Sequence, residues 1–100
     1  MTTTVAFRAA RCRAKLPANV VSRSFVAETV LLDVDTGRYF KLDRNAGEML
    51  EVLVAAPSLA AAATRLAARG WGDADAVVAD LAELCRELDS IGLLRLEVVR

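Results

Sequence analysis

The 100 residues include 55% hydrophobic side chains and no histidine, which suits one small domain with a single core. No apolar run is long enough to cross a membrane, and arginines at 8, 11 and 13 interrupt the N-terminal segment. We therefore expect neither a membrane span nor a signal peptide, and a cytoplasmic location. Two distant cysteines, Cys12 and Cys85, form neither a disulfide framework nor a zinc pattern, so we expect no metal and no cofactor.

The charged residues are unevenly distributed along the chain. The formal net charge is zero, but residues 1–24 carry five cations and no acid, and the remainder carries 13 acids against 8 bases. We predict a basic N-terminal arm over residues 1–18, with flexible coil favoured, and one domain over residues 19–100. Such an arm is either an interaction tail or a segment that folds back onto its own domain. On it Cys12 is expected to be an exposed thiol on a mobile segment, whereas Cys85 is expected to be buried.

Three short strands are predicted before any helix. Val20–Phe25 is the first, and two apolar runs on either side of Asp35-Thr36-Gly37 form a hairpin, because Gly37 can supply the positive φ of a tight turn. The run before this turn starts at Thr29, and the run after it is Arg38–Leu42. The pattern predicts an antiparallel meander in which the last strand has no neighbour on its outer side.

Three helices follow. Asp43 is placed to cap a helix that starts at Arg44 and ends before Pro57, and Ser58 is placed to cap a second that stops at Gly70. Asp73 is the predicted cap of the third and longest helix, which reaches about Ser90. Leu93–Val99 is extended and could add a last strand. The fold class is therefore α+β, with a three-stranded antiparallel sheet followed by three helices, similar to a winged helix-turn-helix.

The third helix has a wider apolar face than one core contact requires. One stripe comprises Val77, Leu81, Leu84, Leu88 and Ile91, and the other comprises Val78, Ala82 and Cys85, continuing toward Leu88. The extra width could pack on the hairpin or line a groove beside it.

The residues favour binding over catalysis. Without histidine there is no Ser-His or Cys-His couple, and the scattered glycines form no phosphate loop. A winged-helix nucleic-acid binder is the main alternative, but its recognition helix would carry many acids and a single cation, Arg86. An oligomeric adaptor, a weak homodimer paired through the open strand, also stays open. Strand addition by a peptide to Arg38–Leu42, next to the third helix, fits best.

A family resemblance points the same way. The segments L-L-D-V-D-T-G-R-Y-F-K-L-D-R-N-A-G-E-M-L-E-V-L (31–53) and D-A-V-V-A-D-L-A-E-L-C-R-E-L-D-S-I-G-L-L (75–94) resemble the PqqD-like family. These are leader-recognition domains, or RiPP recognition elements, of pathways that modify ribosomally made peptides. The pattern covers about residues 20–94 and looks most like the stand-alone members from lasso-peptide clusters.

The resemblance implies a protein without catalytic activity that binds a precursor's leader and presents it to a maturation enzyme, such as a leader peptidase. In the family the leader lies as an extra strand beside the third strand, against the third helix. Carried onto this chain, the expected peptide-binding residues are Arg38, Tyr39, Phe40, Lys41 and Leu42 on the strand and Val78, Leu81, Ala82, Cys85 and Leu88 on the helix. Which helix stripe faces the leader stays open, and an acidic third helix predicts a leader with Lys or Arg.

Overall fold

The computed structural model describes residues 11–98. Four strands precede three helices and a fifth strand closes the chain. The strands are β1 (Cys12–Lys15), β2 (Val20–Ser24), β3 (Glu28–Asp33), β4 (Tyr39–Asp43) and β5 (Arg95–Val98), and the helices are α1 (Arg44–Ala55), α2 (Leu59–Ala68) and α3 (Ala74–Ser90). The predicted α+β class and the three helices after the sheet are confirmed.

The meander is formed as predicted, with strands β2, β3 and β4 in spatial order and all pairs antiparallel. Between β3 and β4, the Asp33 carboxylate accepts hydrogen bonds from the backbone N–H groups of Asp35 and Thr36. It also accepts one from the Asn19 side chain at 3.0 Å, which is the main reason that the pKa of Asp33 is lowered. Gly37 has φ 76°, so this turn uses the left-handed conformation that the sequence indicated.

Helix termini follow the predicted caps with one exception. The Asp43 carboxylate accepts from the Ala46 N–H at 2.8 Å, and the Ser58 hydroxyl accepts from the Ala61 N–H at 3.1 Å. Asp73 is the N-cap residue of α3, as predicted, but its side chain makes no capping hydrogen bond. Its carboxylate is still favourably placed against the positive end of the helix dipole.

The core lies between the inner face of the three-stranded sheet and the helices. Leu31 from β3 and Leu42 from β4 meet Leu50 and Leu53 of α1 in one buried cluster that also includes α2 and α3. Gly47 allows α1 to approach β3 closely, because a Cβ atom there would overlap the Thr29 hydroxyl oxygen. Strand β3 therefore packs closely against α1 at Gly47, where a larger residue would overlap Thr29.

A second, two-stranded sheet corrects the predicted N-terminal arm. Strand β1 pairs antiparallel with β5, from Cys12 opposite Val98 to Lys15 opposite Arg95, and Ala14 is buried against the helices. Residues 12–15 thus belong to the folded domain, and Cys12 is half-buried on a strand rather than exposed on a mobile segment. The rest of the predicted arm, residues 1–10, lies outside the described residues. Leu93–Val99 does contain a strand, as expected.

Candidate functional site

Strand β4 forms one edge of the three-stranded sheet. Among residues 11–98 its hydrogen-bonded neighbour is β3, and no described strand lies on its other side. Antiparallel strands alternate between residues whose backbone groups face the partner and residues whose groups face away. The bond from the Asp33 N–H to the Arg38 carbonyl, at 2.8 Å, sets this alternation. The backbone groups of Phe40 and Leu42 therefore face β3, and those of Tyr39 and Lys41 face the open edge.

A cavity of about 280 Å³ lies beside the first half of β4, and we call it the β4 cavity. Its lining joins the β3–β4 hairpin to the chain that follows α3: Asp33, Arg38, Tyr39, Phe40, Ile91 and Leu93. Tyr39 is 65% exposed, whereas Phe40 is half-buried and packs on the core. The open backbone edge is therefore next to a space with apolar walls and a charged rim.

The structure brings Arg38, Tyr39 and Phe40 together at the β4 cavity. Lys41 is exposed on the same strand, and Leu42 is only 4% exposed because it packs in the core. Two lining residues, Ile91 and Leu93, were not among the expected contact residues. Ile91 ends the longer apolar stripe of the third helix, so the stripe itself was a signal for it.

The five expected residues of the third helix divide into two groups. Val78 and Ala82 are half-buried at the margin of the core, whereas Leu81, Cys85 and Leu88 are 0% exposed. Helix α3 packs chiefly against α2, and its buried side chains belong to the common core. None of the five residues is among those that line the β4 cavity.

The exposed surface of α3 is strongly acidic. Its exposed acids face solvent along the whole helix, and its single cation is Arg86: Asp75, Asp80, Glu83, Glu87 and Asp89 are all exposed. At the β4 cavity itself the two charged lining residues are Arg38, which is exposed, and Asp33, which is half-buried. A segment in this cavity would thus meet one cation and one anion, and the negative potential of α3 would act from outside the lining.

The described residues supply little for covalent or metal chemistry. Burial raises the pKa of the Cys85 thiol to about 12, so this sulfur is a protonated core atom at neutral pH. Among residues 11–98 no group of three or more Cys, Asp or Glu side chains is arranged to hold a metal ion. No helix in this part of the chain is long and apolar enough to span a membrane. What the site offers is backbone hydrogen bonding beside an apolar cavity.

Together the small sheet with its open edge and the three covering helices define an α+β domain with an unpaired strand beside an apolar cavity. One family model matches most of the chain. The model of the family described as coenzyme PQQ synthesis protein D (PqqD) matches residues 28–94, and the chain belongs to this family. The matched region begins at β3 and ends just before β5, so it contains β4 and all three helices.

Two solved structures share the fold. TbiB1 in complex with the TbiA(beta) leader peptide is 30% identical, with a TM-score of 0.72, and the match covers 81% of this chain and 94% of that chain. A lasso peptide synthetase B1 complexed with its leader peptide has a TM-score of 0.73 over 83% of this chain and 98% of that one. At 23% identity the second supports the fold alone. A search of the curated proteins finds no match.

Proposed function

We propose that this protein binds the leader segment of a ribosomally made precursor peptide, of the lasso type or a related one, as an added strand on β4. The observation that carries the proposal is the open backbone edge of β4 beside the β4 cavity. The similarity to the leader-bound TbiB1 chain, at 30% identity, supports it. We further propose that the protein acts in the cytoplasm without catalysis of its own and delivers the leader to a maturation enzyme such as a leader peptidase.

Backbone pairing would supply the sequence-independent part of the affinity. The N–H and C=O groups of Tyr39 and Lys41 offer four hydrogen bonds to an added strand, each contributing about 0.5–1.5 kcal/mol net. Two or three apolar anchors would add roughly 1.5–3 kcal/mol each. Association and leader ordering oppose this by about 4–15 kcal/mol. The favourable and opposing contributions are of similar size, so the affinity depends on how many apolar anchors the leader provides.

Side-chain contacts would supply the specificity. An added strand directs every second side chain toward the helices, where Phe40, Ile91 and Leu93 line the β4 cavity. We propose that Val78 and Ala82 extend this wall along α3, with Leu42, Leu81, Cys85 and Leu88 as its support in the core. The exposed acids of α3 favour a leader that carries Lys or Arg near these pockets.

Replacing Lys41 tests strand addition directly. Lys41→Pro removes an N–H that faces the open edge and leaves the pairing with β3 intact, since proline is tolerated on edge strands. Lys41→Ala is the matched control, because it removes the same side chain but keeps the N–H. Titration of the labelled leader of the precursor encoded beside this gene should give a dissociation constant at least about tenfold higher for Lys41→Pro than for Lys41→Ala.

Equal affinities of the two variants would refute strand addition at β4. Circular dichroism and the melting temperature show whether Lys41→Pro is folded. A leader with single N-methylated amides provides a second measurement that leaves the protein unchanged. In a paired strand, methylation at alternate positions should weaken binding, whereas the intervening amides should tolerate it.

A further inference from the structure

The carboxylate of Asp33 is held in a fixed orientation at the β4 cavity. Its Oδ1 atom accepts from the Asn19 side-chain amide at 3.0 Å and from the backbone N–H groups of Asp35 and Thr36 at 3.0 and 3.4 Å. No hydrogen bond among residues 11–98 ends on Oδ2, and this part of the chain has no buried side-chain oxygen without a partner, so Oδ2 is open to solvent. Hydrogen bonding, chiefly from Asn19, lowers the pKa of Asp33, and the group is ionised at neutral pH.

The register between β3 and β4 shows on which side of the sheet this carboxylate lies. The bond from the Asp33 N–H to the Arg38 carbonyl continues the pairing of Leu31 with Phe40, so Asp33 and Arg38 are directly opposite each other. Opposite residues point to the same side of a sheet, and so do residues two positions apart. Leu31 is buried in the core, so Asp33, Arg38 and Phe40 all lie on the side that faces the helices.

The C-terminus of α3 forms another wall of the β4 cavity. The helix ends at Ser90, and its C-cap residue Ile91 lines the cavity together with Leu93. A helix C-terminus carries a partial negative charge, which a basic residue in the last turn commonly offsets. The last turn of α3 has no basic residue, and Glu87 and Asp89 are exposed in it. The negative end of the helix therefore reaches the cavity without a cation from its own last turn.

Arg38 is the cation of the cavity lining, but it does not neutralise Asp33. The ion pair formed within residues 11–98 joins Arg69 to Glu48, and Arg38 is not paired with Asp33. Arg38 is exposed, and a solvated cation on a flexible stem interacts only weakly with its neighbours. The charges that are fixed in position at the cavity are thus the Asp33 carboxylate and the C-terminus of α3, and both are negative.

Between these two charges the lining is apolar. Phe40 and Ile91 are half-buried, Leu93 is buried, and the cavity of about 280 Å³ has room for one long side chain. Lys and Arg combine an apolar stem with a cationic tip, so they match both parts of this lining. An acidic side chain would be repelled by Asp33, and an apolar one would partly desolvate the carboxylate without giving it a partner.

We propose that the β4 cavity binds a cationic side chain, Lys or Arg, whose tip lies between the Asp33 carboxylate and the C-terminus of α3. The proposal rests on the proposed function for the source of this side chain, which is the leader strand added to β4. It makes Asp33 a specificity-determining residue, in addition to its part in the hairpin.

A small cation tests the cavity without the leader. In NMR titrations at millimolar concentration, n-butylguanidinium should shift the amide signals of Phe40, Ile91 and Leu93, whereas butyrate, of opposite charge, should not. Asp33→Asn should bind n-butylguanidinium at least about tenfold more weakly, because asparagine keeps Oδ1 for the hairpin bonds but removes the charge. Asp35→Asn is the matched control, since it removes a charge from the same turn outside the cavity lining and should leave the shifts unchanged.

The leader provides the second measurement. Each Lys and Arg in the leader of the precursor encoded beside this gene is replaced in turn by Gln, and each peptide is titrated against the unsubstituted protein and Asp33→Asn. At one leader position the replacement should weaken binding to the unsubstituted protein at least about tenfold, and binding to Asp33→Asn by less than about twofold. This coupling identifies the side chain that enters the cavity.

Several results would overturn the proposal. Equal binding of butyrate and n-butylguanidinium would show that the cavity does not select a cation, and unchanged binding by Asp33→Asn would exclude the carboxylate. We expect Arg38→Gln to bind n-butylguanidinium more tightly, because a repelling charge is lost, so weaker binding by this variant would also contradict the proposal. A leader in which no Lys or Arg is coupled to Asp33 would do the same. Absence of leader binding, with n-butylguanidinium still bound, would contradict the proposed function instead and leave the cation site supported.

Discussion

Because it is buried, the thiol of Cys85 stays protonated and unreactive at neutral pH. The side chain is 0% exposed, and desolvation is the main cause of its raised pKa, followed by the charges of Cys12 and Asp89. The folded state therefore holds its proton more tightly than the unfolded state does. Stability from this group is fully present below the ordinary thiol pKa and is lost as the pH rises toward the folded-state value.

The consequence is a loss of stability between the ordinary thiol pKa of 9.0 and about 12. Denaturant unfolding across this range should show a falling free energy of unfolding. Cys85→Ala should be less stable at neutral pH, because it leaves a small cavity, but its free energy should fall less on the way to pH 12. Cys12→Ser is the control and should retain most of the fall. Parallel curves for Cys85→Ala and the unsubstituted protein would contradict the assignment.

At the contact between helix α1 and strand β3, the packing predicts the direction in which a substitution of Gly47 changes the stability. Gly47 lies inside α1, where replacing glycine by alanine ordinarily stabilises a helix by about 0.5–1 kcal/mol. Here the added Cβ would overlap the hydroxyl of Thr29, which is buried at 6% exposure. Packing therefore opposes helix propensity, and a forced shift in a tight core costs about 1–3 kcal/mol.

We expect Gly47→Ala to lower the free energy of unfolding by about 1–2 kcal/mol. Denaturant unfolding with Asn45→Ala as the exposed control in the same helix measures this. The control should be neutral or slightly stabilising. The double variant Gly47→Ala with Thr29→Ala should recover part of the loss, since the overlapping oxygen is gone. Stabilisation by Gly47→Ala alone would show that α1 and β3 are less closely packed.

Leader binding should be visible in the stability of the whole molecule. A ligand that binds only the folded state at 100 times its dissociation constant adds about 2.7 kcal/mol to the free energy of unfolding. For a domain of this size the melting temperature should rise by roughly 11–22 °C, because each kcal/mol shifts it by about 4–8 °C. Differential scanning fluorimetry with the leader checks this, and the same concentration should shift Lys41→Pro far less. No shift of the unsubstituted protein at saturating leader would count against binding to the folded domain.

The meander and the three helices are predictable from the sequence because their signals are local. Asp43 and Ser58 cap helices through bonds to residues three positions later, and Gly37 sets its turn within one hairpin. Strand β4 was also predicted as an edge, since no apolar strand follows it nearby in the chain. The caps and the turn need no contact across the molecule, whereas the edge of β4 stays open only because β5 pairs with β1.

The pairing of β1 with β5 joins residues that are 80 to 86 positions apart in the chain, from Lys15 with Arg95 to Cys12 with Val98. Strand β1, with the sequence C-R-A-K, has one buried side chain, Ala14, so no local pattern marks it as a strand. For the third helix, too, the sequence shows the apolar positions, but contacts with distant parts of the chain determine which of them are buried. Both apolar stripes are visible in the sequence, but packing on α2 decides that Leu81 and Cys85 are buried and that Val78 and Ala82 stay partly open.

By itself the sequence determined the helices and the hairpins, because each depends on residues within a few positions of one another. Only the tertiary structure decided that β5 pairs with β1 and leaves the edge of β4 open, and that Ile91 and Leu93 line the β4 cavity. Those outcomes depend on which distant surfaces exclude water from each other. That competition is settled by the shape of the whole core, and short-range patterns do not encode it.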